Sequence, residues 1–302
     1  WIRPFKRIGF GSCCIHLIQG TYSVLSHVLE LGDTSISLLV KRSCANTGGH
    51  IDGRGINEDG APANEAESEL FIWDNNDYRV YRWRRGSIPL RWKSTVNPLI
   101  FGLSHSVKED YMHGTAEYFN GLRDRLGVDR IYCVSLLAEK SKSGENVLES
   151  KYVEAVDLLD LDFVVVKQFD FNKVLHTNGS HATYEIFQQT FGEDLLGLGY
   201  SSPTTVQNGI IRVNCASSMD RTNFFCFFYA VLVTTSLFNG TIPTPVMDFL
   251  DDSFSNAGNH ISRCYCNTNT LNSSYLTEFS STKKSQQKDF KILLKRATGG
   301  LF

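Results

Sequence analysis

An α/β fold with a mixed or parallel central sheet flanked by helices is predicted by three features of this sequence. Short apolar runs rich in β-branched residues alternate with longer stretches whose apolar residues recur at helical spacing. The short runs are apolar on successive residues, which suits strands buried on both faces. One segment, Phe224 to Leu237, is apolar nearly all round and reads as a central buried helix.

Along the chain, the strand-like runs fall at residues 35–40, 131–137, 163–169 and 209–214. Val107, Tyr111, Tyr118, Leu122 and Leu126 recur at helical spacing, as do Val153, Val156 and Leu159. Residues 79–93 carry six basic side chains and no acidic one, interleaved with Tyr81, Trp83 and Trp92. As a strand, this stretch sets Arg79, Tyr81 and Trp83 on one face and Val80, Arg82 and Arg84 on the other. As a surface, it would meet an anionic headgroup or membrane. Polar connectors occupy 140–146, 176–180 and 197–207. Residues 267–288 read as a mobile surface segment, and Lys283, Lys284, Lys288, Lys291, Lys295 and Arg296 make the C-terminal stretch basic. No repeat or internal boundary is visible, so residues 1–302 read as one domain with 267–302 as a basic tail.

A chain of 302 residues, 42% hydrophobic and 21% charged, can bury a sizeable core, which excludes a disordered chain or a coiled coil. Thirty basic against 32 acidic residues give a net charge of −2. Bulk charge therefore draws the chain neither to nucleic acid nor to membrane, and an anionic partner must be met by local charge. The longest apolar run, Phe224 to Val233, is too short to span a bilayer. The opening Trp1-Ile2-Arg3-Pro4 lacks a signal-peptide pattern, and Cys133 and Cys226 sit in apolar runs as buried free thiols do in a reducing compartment. Sequons at Asn178, Asn239 and Asn272 leave a secretory setting as the alternative. Cys264-x-Cys266 and Cys13-Cys14 lack the pairing of a zinc site, and the acidic cluster Glu58, Asp59, Glu65, Glu67 and Glu69 fits no calcium loop. Neither a metal nor a cofactor is expected.

The chemistry concentrates in residues 209–225. Asn208-Gly209 marks a turn, Ile210 to Val213 a strand, and Asp220-Arg221-Thr222-Asn223 opens the apolar helix. Cys215 and Arg221 are separated by five intervening residues, the C-x5-R arrangement of cysteine-dependent phosphatases. Such a turn aims the backbone N–H groups of Ala216, Ser217, Ser218 and Met219, with the positive helix end, at one point that suits a phosphate dianion. Arg221 can fork two hydrogen bonds onto phosphate oxygens, and the same field favours a thiolate at Cys215. Thr222 and Ser218 offer hydroxyls to the loop or to the leaving thiolate. The bland alternative makes Cys215 one more buried thiol and Arg221 a structural ion-pair partner.

These residues resemble the signature of the Sac-domain phosphoinositide phosphatases. Arg212, Asn214, Cys215, Asp220, Arg221, Thr222 and Asn223 match it. Arg54-Gly55-Ile56-Asn57 to Gly60 with Ala63-Asn64-Glu65, Glu67 and Glu69, and Arg85-Gly86-Ser87-Ile88-Pro89 with Trp92, are similar to two further blocks of the family. Phe169-Asp170-Phe171 matches a fourth, with Asn172 in place of His, and 256–268 gives a weaker echo. The first matching residues, 15–20, correspond to the end of the family's N-terminal subdomain, so the resemblance implies a catalytic portion with most of that subdomain absent. Ser217 and Asn259 each stand where the family usually has Asp. The resemblance implies a phosphocysteine mechanism on inositol lipid headgroups, with Cys215 as nucleophile, Arg221 as clamp and Asp220 assisting protonation or orienting Arg221. Asn223, Arg85 and Lys93 join the loop as candidate phosphate ligands, and His260 is the histidine nearest a family block. The implied partners are phosphoinositides at an anionic membrane surface, met peripherally from the cytoplasm, with no nucleic acid. The alternative is a catalytically impaired module that binds phosphoinositides or scaffolds a complex.

Overall fold

The computed structural model describes residues 18–26, 34–50, 53–74, 77–97 and 102–271. In chain order the strands are β1 (Gly20–Leu25), β2 (Ser35–Arg42), β3 (Ala66–Asp74), β4 (Asp77–Ser87), β5 (Trp92–Asn97), β6 (Gly102–Val107), β7 (Arg130–Ser135), β8 (Val164–Gln168) and β9 (Gly209–Cys215). The helices are α1 (Thr115–Leu126), α2 (Glu145–Leu158), α3 (Phe171–Leu196), α4 (Asp220–Leu237) and α5 (Thr244–Cys266). Seven strands form one sheet in the order β1-β2-β3-β4-β9-β7-β8, while β5 and β6 make a separate antiparallel ribbon. The first four strands are antiparallel, and β4, β9, β7 and β8 run parallel. The sheet is mixed, as the sequence predicts.

Strand alternation explains how both faces are closed. Trp83 packs on Tyr229 of α4 and Phe254 of α5, while Tyr132 donates to Asp194 of α3, so these three helices cover one face. On the other face Arg212, with no exposed surface, donates to Tyr118 of α1, and Ser135 donates to Glu149 of α2. Every residue of α4 from Thr222 to Thr234 is buried, as its all-round apolar character requires. Phe171, Phe187 and Phe191 of α3 interlock with Phe224, Phe225 and Phe228, edge-on except for the tilted Phe187–Phe228 pair.

The expected strands appear with boundaries moved by one or two residues, and Leu136 and Leu137 are buried just past the end of β7. Residues 79–93 belong to β4 as far as Ser87 and enter β5 at Trp92, and three of their six basic side chains are ion-paired within the fold. Arg82 pairs with Glu69, Arg84 with Glu65 and Glu67, and Arg91 with Glu58 and Asp110. The acidic cluster and the basic stretch thus neutralise one another across β3 and β4 and at the loop beyond. Val107 closes β6 and Tyr111 lies in a turn, so only Tyr118 onward of that apolar series is helical. Residues 176–180 lie inside α3, where Gly179 (φ 75°, ψ 176°) interrupts the helical backbone. No helix among the described residues is long and apolar enough to cross a membrane. Cys13, Cys14, Asn272 and the basic residues from Lys283 to Arg296 lie outside the described residues.

Phe225 has no exposed surface and touches three aromatic rings of the α3 side. Phe225→Ala is expected to lower unfolding free energy by about 3–5 kcal/mol in a urea titration. A loss below ~1 kcal/mol would show that this layer is not the core.

Candidate active site

Cys215 is the last residue of β9, and α4 begins at Asp220, which leaves a four-residue loop, 216–219. Because β9 lies between β4 and β7 and runs parallel to both, the loop emerges at their carboxyl ends, beside Ser87 and Ser135. That edge is where open α/β sheets present ligand sites. Ser218 adopts a left-handed backbone (φ 52°), the change of handedness that gathers successive N–H groups into a concavity.

Inside that turn the Cys215 Sγ accepts the Ser218 N–H at 3.1 Å and the Thr222 hydroxyl at 3.2 Å. The Ser217 hydroxyl stands at 3.9 Å. Burial pushes the Cys215 thiol up, but the Arg221 guanidinium, the Thr222 hydroxyl and a backbone N–H of the loop outweigh it and leave its pKa below the ordinary thiol value. Cys133 and Cys226 are pushed up to about 11 because burial outweighs the nearby Arg212 and Arg85 guanidiniums and their hydrogen bonds from Tyr152 and Trp83. Cys215 is thus set apart from Cys133 and Cys226 as the acidic one.

Arg221 is held from the side by Glu145. Its Nη1 and Nη2 reach the two carboxylate oxygens at 2.8 and 2.6 Å, and Nη1 also donates to the Leu136 carbonyl at 2.8 Å. Glu145 opens α2 and accepts the Ala138 N–H at 2.9 Å as well. Burial acts to raise its pKa, yet Arg221 holds it below the usual carboxylate range. Glu145 lay inside a stretch read as polar connector. The local signal was an acid directly after Gly144, whose left-handed backbone (φ 88°) starts the helix. One turn on, Glu149 is pushed up to about 7 by burial, with Glu145 adding to the effect. His105 of β6 is a second residue the sequence did not single out. Its Nδ1 pairs with Ser94 Oγ at 2.9 Å, and burial, then Arg54, push it down to about 4, so it is neutral at pH 7.

The remaining candidates divide into the loop and its supports. Arg85 is 2% exposed and does not open onto the site. Its Nη2 donates to the carbonyls of Ser218 and Met219, each at 2.8 Å, and its Nη1 to Asn223 Oδ1 at 2.8 Å. With its fork spent on the loop, Arg85 is a brace and not the phosphate ligand expected. Asn223 is likewise internal, with Nδ2 on the Phe254 carbonyl at 2.9 Å. Lys93 is exposed on β5, on the opposite side of the ribbon from Ser94, because adjacent strand residues alternate. Two residues that the sequence placed in a family-like block but gave no site role complete the support. Arg54 donates to the Ala216 carbonyl at 2.8 Å, and Asn64 to the carbonyls of Ser217 and Ser218 at 3.0 and 3.3 Å. The Arg54 guanidinium lies between the rings of Trp92 and Tyr265, 5.7 and 5.8 Å from their centroids. Asp220 Oδ1 accepts the Leu271 N–H at 2.6 Å, and Asn259 Oδ1 accepts both donors of Thr270. The Met219 side chain packs with Tyr265 and Cys266. His260 faces away from the loop, beside Cys264 and against β1.

The Glu145–Arg221 pair carries a pH signature. A carboxylate held below its usual value, 4.5, lends stability above that value and loses it as pH falls through the folded-state value. Wild type is expected to exceed Glu145→Gln in urea midpoint at neutral pH, with the gap closing below pH 4.5. A gap that stays constant down to about pH 3.5 contradicts the pairing.

Comparison with known proteins places this architecture. A match to the SacI homology domain covers residues 2–176, which ends before β9. The chain is 23% identical over 268 residues to a polyphosphoinositide phosphatase of Schizosaccharomyces pombe, covering 80% of this chain and 32% of that protein. It is 28% identical over 222 residues to phosphoinositide phosphatase SAC8 of Arabidopsis thaliana, covering 69% and 36%. It is 29% identical over 220 residues to a synaptojanin of Caenorhabditis elegans, covering 67% and 18%. The chain therefore spans about a third or less of the length of these relatives. Because the domain match takes in more than half of its residues, the chain belongs to the SacI homology family.

Proposed function

We propose that this chain carries the catalytic centre of a phosphoinositide phosphatase that removes a phosphate monoester from an inositol lipid headgroup through a phosphocysteine. The observation that carries this reading is the Cys215 sulfur, acidified at the bottom of a strand–loop–helix turn beside a guanidinium. The thiolate attacks phosphorus in line, the bond from phosphorus to the inositol oxygen breaks, and that oxygen takes up a proton from solvent. Water then attacks the phosphocysteine, releasing inorganic phosphate and restoring the thiolate.

Phosphate-monoester hydrolysis is among the slowest reactions in water, so the loop must stabilise charge that spreads over the equatorial oxygens. The N–H groups of residues 217–220 and the positive end of α4 are fixed dipoles suited to that task. Glu145 sets the plane of Arg221, which lowers the ordering cost when the guanidinium meets phosphate. Asp220 adds to the electrostatic hold on Arg221, so of its two expected roles orientation of that guanidinium is the one its position supports. Thr222, already hydrogen-bonded to Sγ, stabilises the thiolate as it attacks and as it leaves. The substrates are phosphoinositides in an anionic leaflet, approached peripherally from the cytoplasm.

Phosphate release from short-chain phosphoinositides is expected from the wild-type chain and absent from Cys215→Ser. Arg221→Lys, which keeps charge but loses the fork, is expected to lower the rate by about 10²–10³-fold. A wild-type protein no faster than Cys215→Ser ends the enzymatic reading, and binding to phosphoinositide vesicles without release would leave a lipid-binding module in its place.

A further inference from the structure

Each of the four loop carbonyls accepts a hydrogen bond from a donor outside the loop. The Ala216 carbonyl takes Arg54 at 2.8 Å and the Ser87 hydroxyl at 3.4 Å. The Ser217 carbonyl takes Asn64 at 3.0 Å. The Ser218 carbonyl takes Asn64 and Arg85, and the Met219 carbonyl takes Arg85 with the Asn223 N–H of the first helical turn. Three side chains, from the loop after β2 and from β4, do most of this.

A trans peptide is planar, so its C=O and N–H point in opposite directions. Drawing the carbonyls of residues 216–219 outward therefore turns the N–H groups of residues 217–220 inward. Two inner consequences are visible: the Ser218 N–H sits 3.1 Å from Cys215 Sγ, and the Ser217 backbone helps to hold the thiol's pKa down. We propose that Arg54, Asn64 and Arg85 are positioning residues that fix the loop's peptide planes, so that four N–H groups converge on the Cys215 sulfur and on the oxyanion it attacks. None of the three touches the sulfur among the described contacts. The proposal rests on Cys215 being the nucleophile, but it concerns the state of the loop before any substrate arrives.

Their surroundings suit a fixed frame. Arg85 is enclosed by the loop, Asn223 and α4. Arg54 is clasped by two rings, and the Tyr265 hydroxyl anchors the adjacent Gly53 carbonyl. The Asn64 amide has its oxygen on Arg42 Nε at 3.3 Å, which dictates that its NH₂ faces the loop. Asn64 itself holds a left-handed backbone (φ 49°), a conformation Asn tolerates better than most residues. Gly55 follows Arg54 with φ 62°, where a Cβ would lie 2.1 Å from the Leu90 carbonyl, so the turn that delivers Arg54 admits only glycine.

Asn64 gives the cleanest test because it is uncharged. A change in Cys215 acidity on Asn64→Ala cannot be a charge effect and must pass through the loop. The rate of iodoacetamide alkylation at Cys215 is followed against pH by peptide mass spectrometry, and tungstate affinity is measured by calorimetry. Asn64→Ala is expected to raise the alkylation midpoint by about one pH unit and to weaken tungstate roughly tenfold, the scale of one hydrogen bond to an ion. Arg54→Lys, which keeps the positive charge but loses the planar fork, is expected to move both readings the same way, and it stands in if Asn64→Ala does not fold. Folded variants with the wild-type midpoint and wild-type tungstate affinity overturn the proposal. Neither reading uses a lipid, so a wild-type protein that fails to hydrolyse phosphoinositides would sink the proposed function while leaving this inference to be judged on its own.

Discussion

The constraint on which the site depends is the outward turn of four consecutive carbonyls between Cys215 and the first turn of α4. A loop of that length has no partners of its own, and left to itself it could direct either edge of each peptide at the sulfur. Carbonyl oxygens facing the thiol would oppose its ionisation, whereas N–H groups favour it. Buried donors on three side chains settle the choice, and the inward N–H groups add to the hold that Arg221 and Thr222 have on the acidity of Cys215. A buried polar group without a partner costs about 1–3 kcal/mol, so donors and carbonyls hold one another in place.

The sheet exists, from the site's point of view, to bring those donors to one edge. β4 delivers Arg85 and Ser87, the loop after β2 delivers Arg54 and Asn64, and β9 delivers the cysteine between β4 and β7. Arg212, fully buried under β9, ties the strand to Tyr118, Asn214 and the Ser87 carbonyl. On the opposite flank, α2 offers Glu145 to Arg221. Cys215 is braced through the loop and Arg221 through α2, so each can be perturbed separately. The ion pairs among Lys41, Glu67, Glu69, Arg82 and Arg84 are of a different kind. They are partly solvated and contribute little each, but they tie Arg82 and Arg84 of β4 to the neighbouring strands.

Much of the fold was legible because burial on two faces leaves a signature in sequence. β7, β9 and α4 are apolar runs buried nearly throughout, while β2 alternates and β8 is apolar over Val164–Val166, and all were read within a few residues. β1, β5 and β6 mix polar and apolar residues, α3 carries glycine in mid-helix, and α5 alternates its faces, so none gave a signal of comparable strength. At the site, Cys215, Thr222 and Arg221 were legible from spacing alone, since strand, tight loop and helix are adjacent in the chain. Glu145, Arg54, Asn64 and His105 were not, because their roles arise from contacts across 76 to 162 residues or from a neighbouring ribbon that local pattern cannot report. Arg85 was found for the wrong reason. A buried arginine facing carbonyls looks, in sequence, like one facing phosphate.

A crystal structure of the chain with orthovanadate on Cys215 tests the account most directly. The account predicts vanadium bonded to Sγ, with equatorial oxygens about 2.7–3.2 Å from the N–H groups of residues 217–220 and from Arg221, and with the carbonyls of 216–219 still on Arg54, Asn64 and Arg85. Vanadate bound elsewhere, or a loop whose carbonyls face the sulfur, would contradict it.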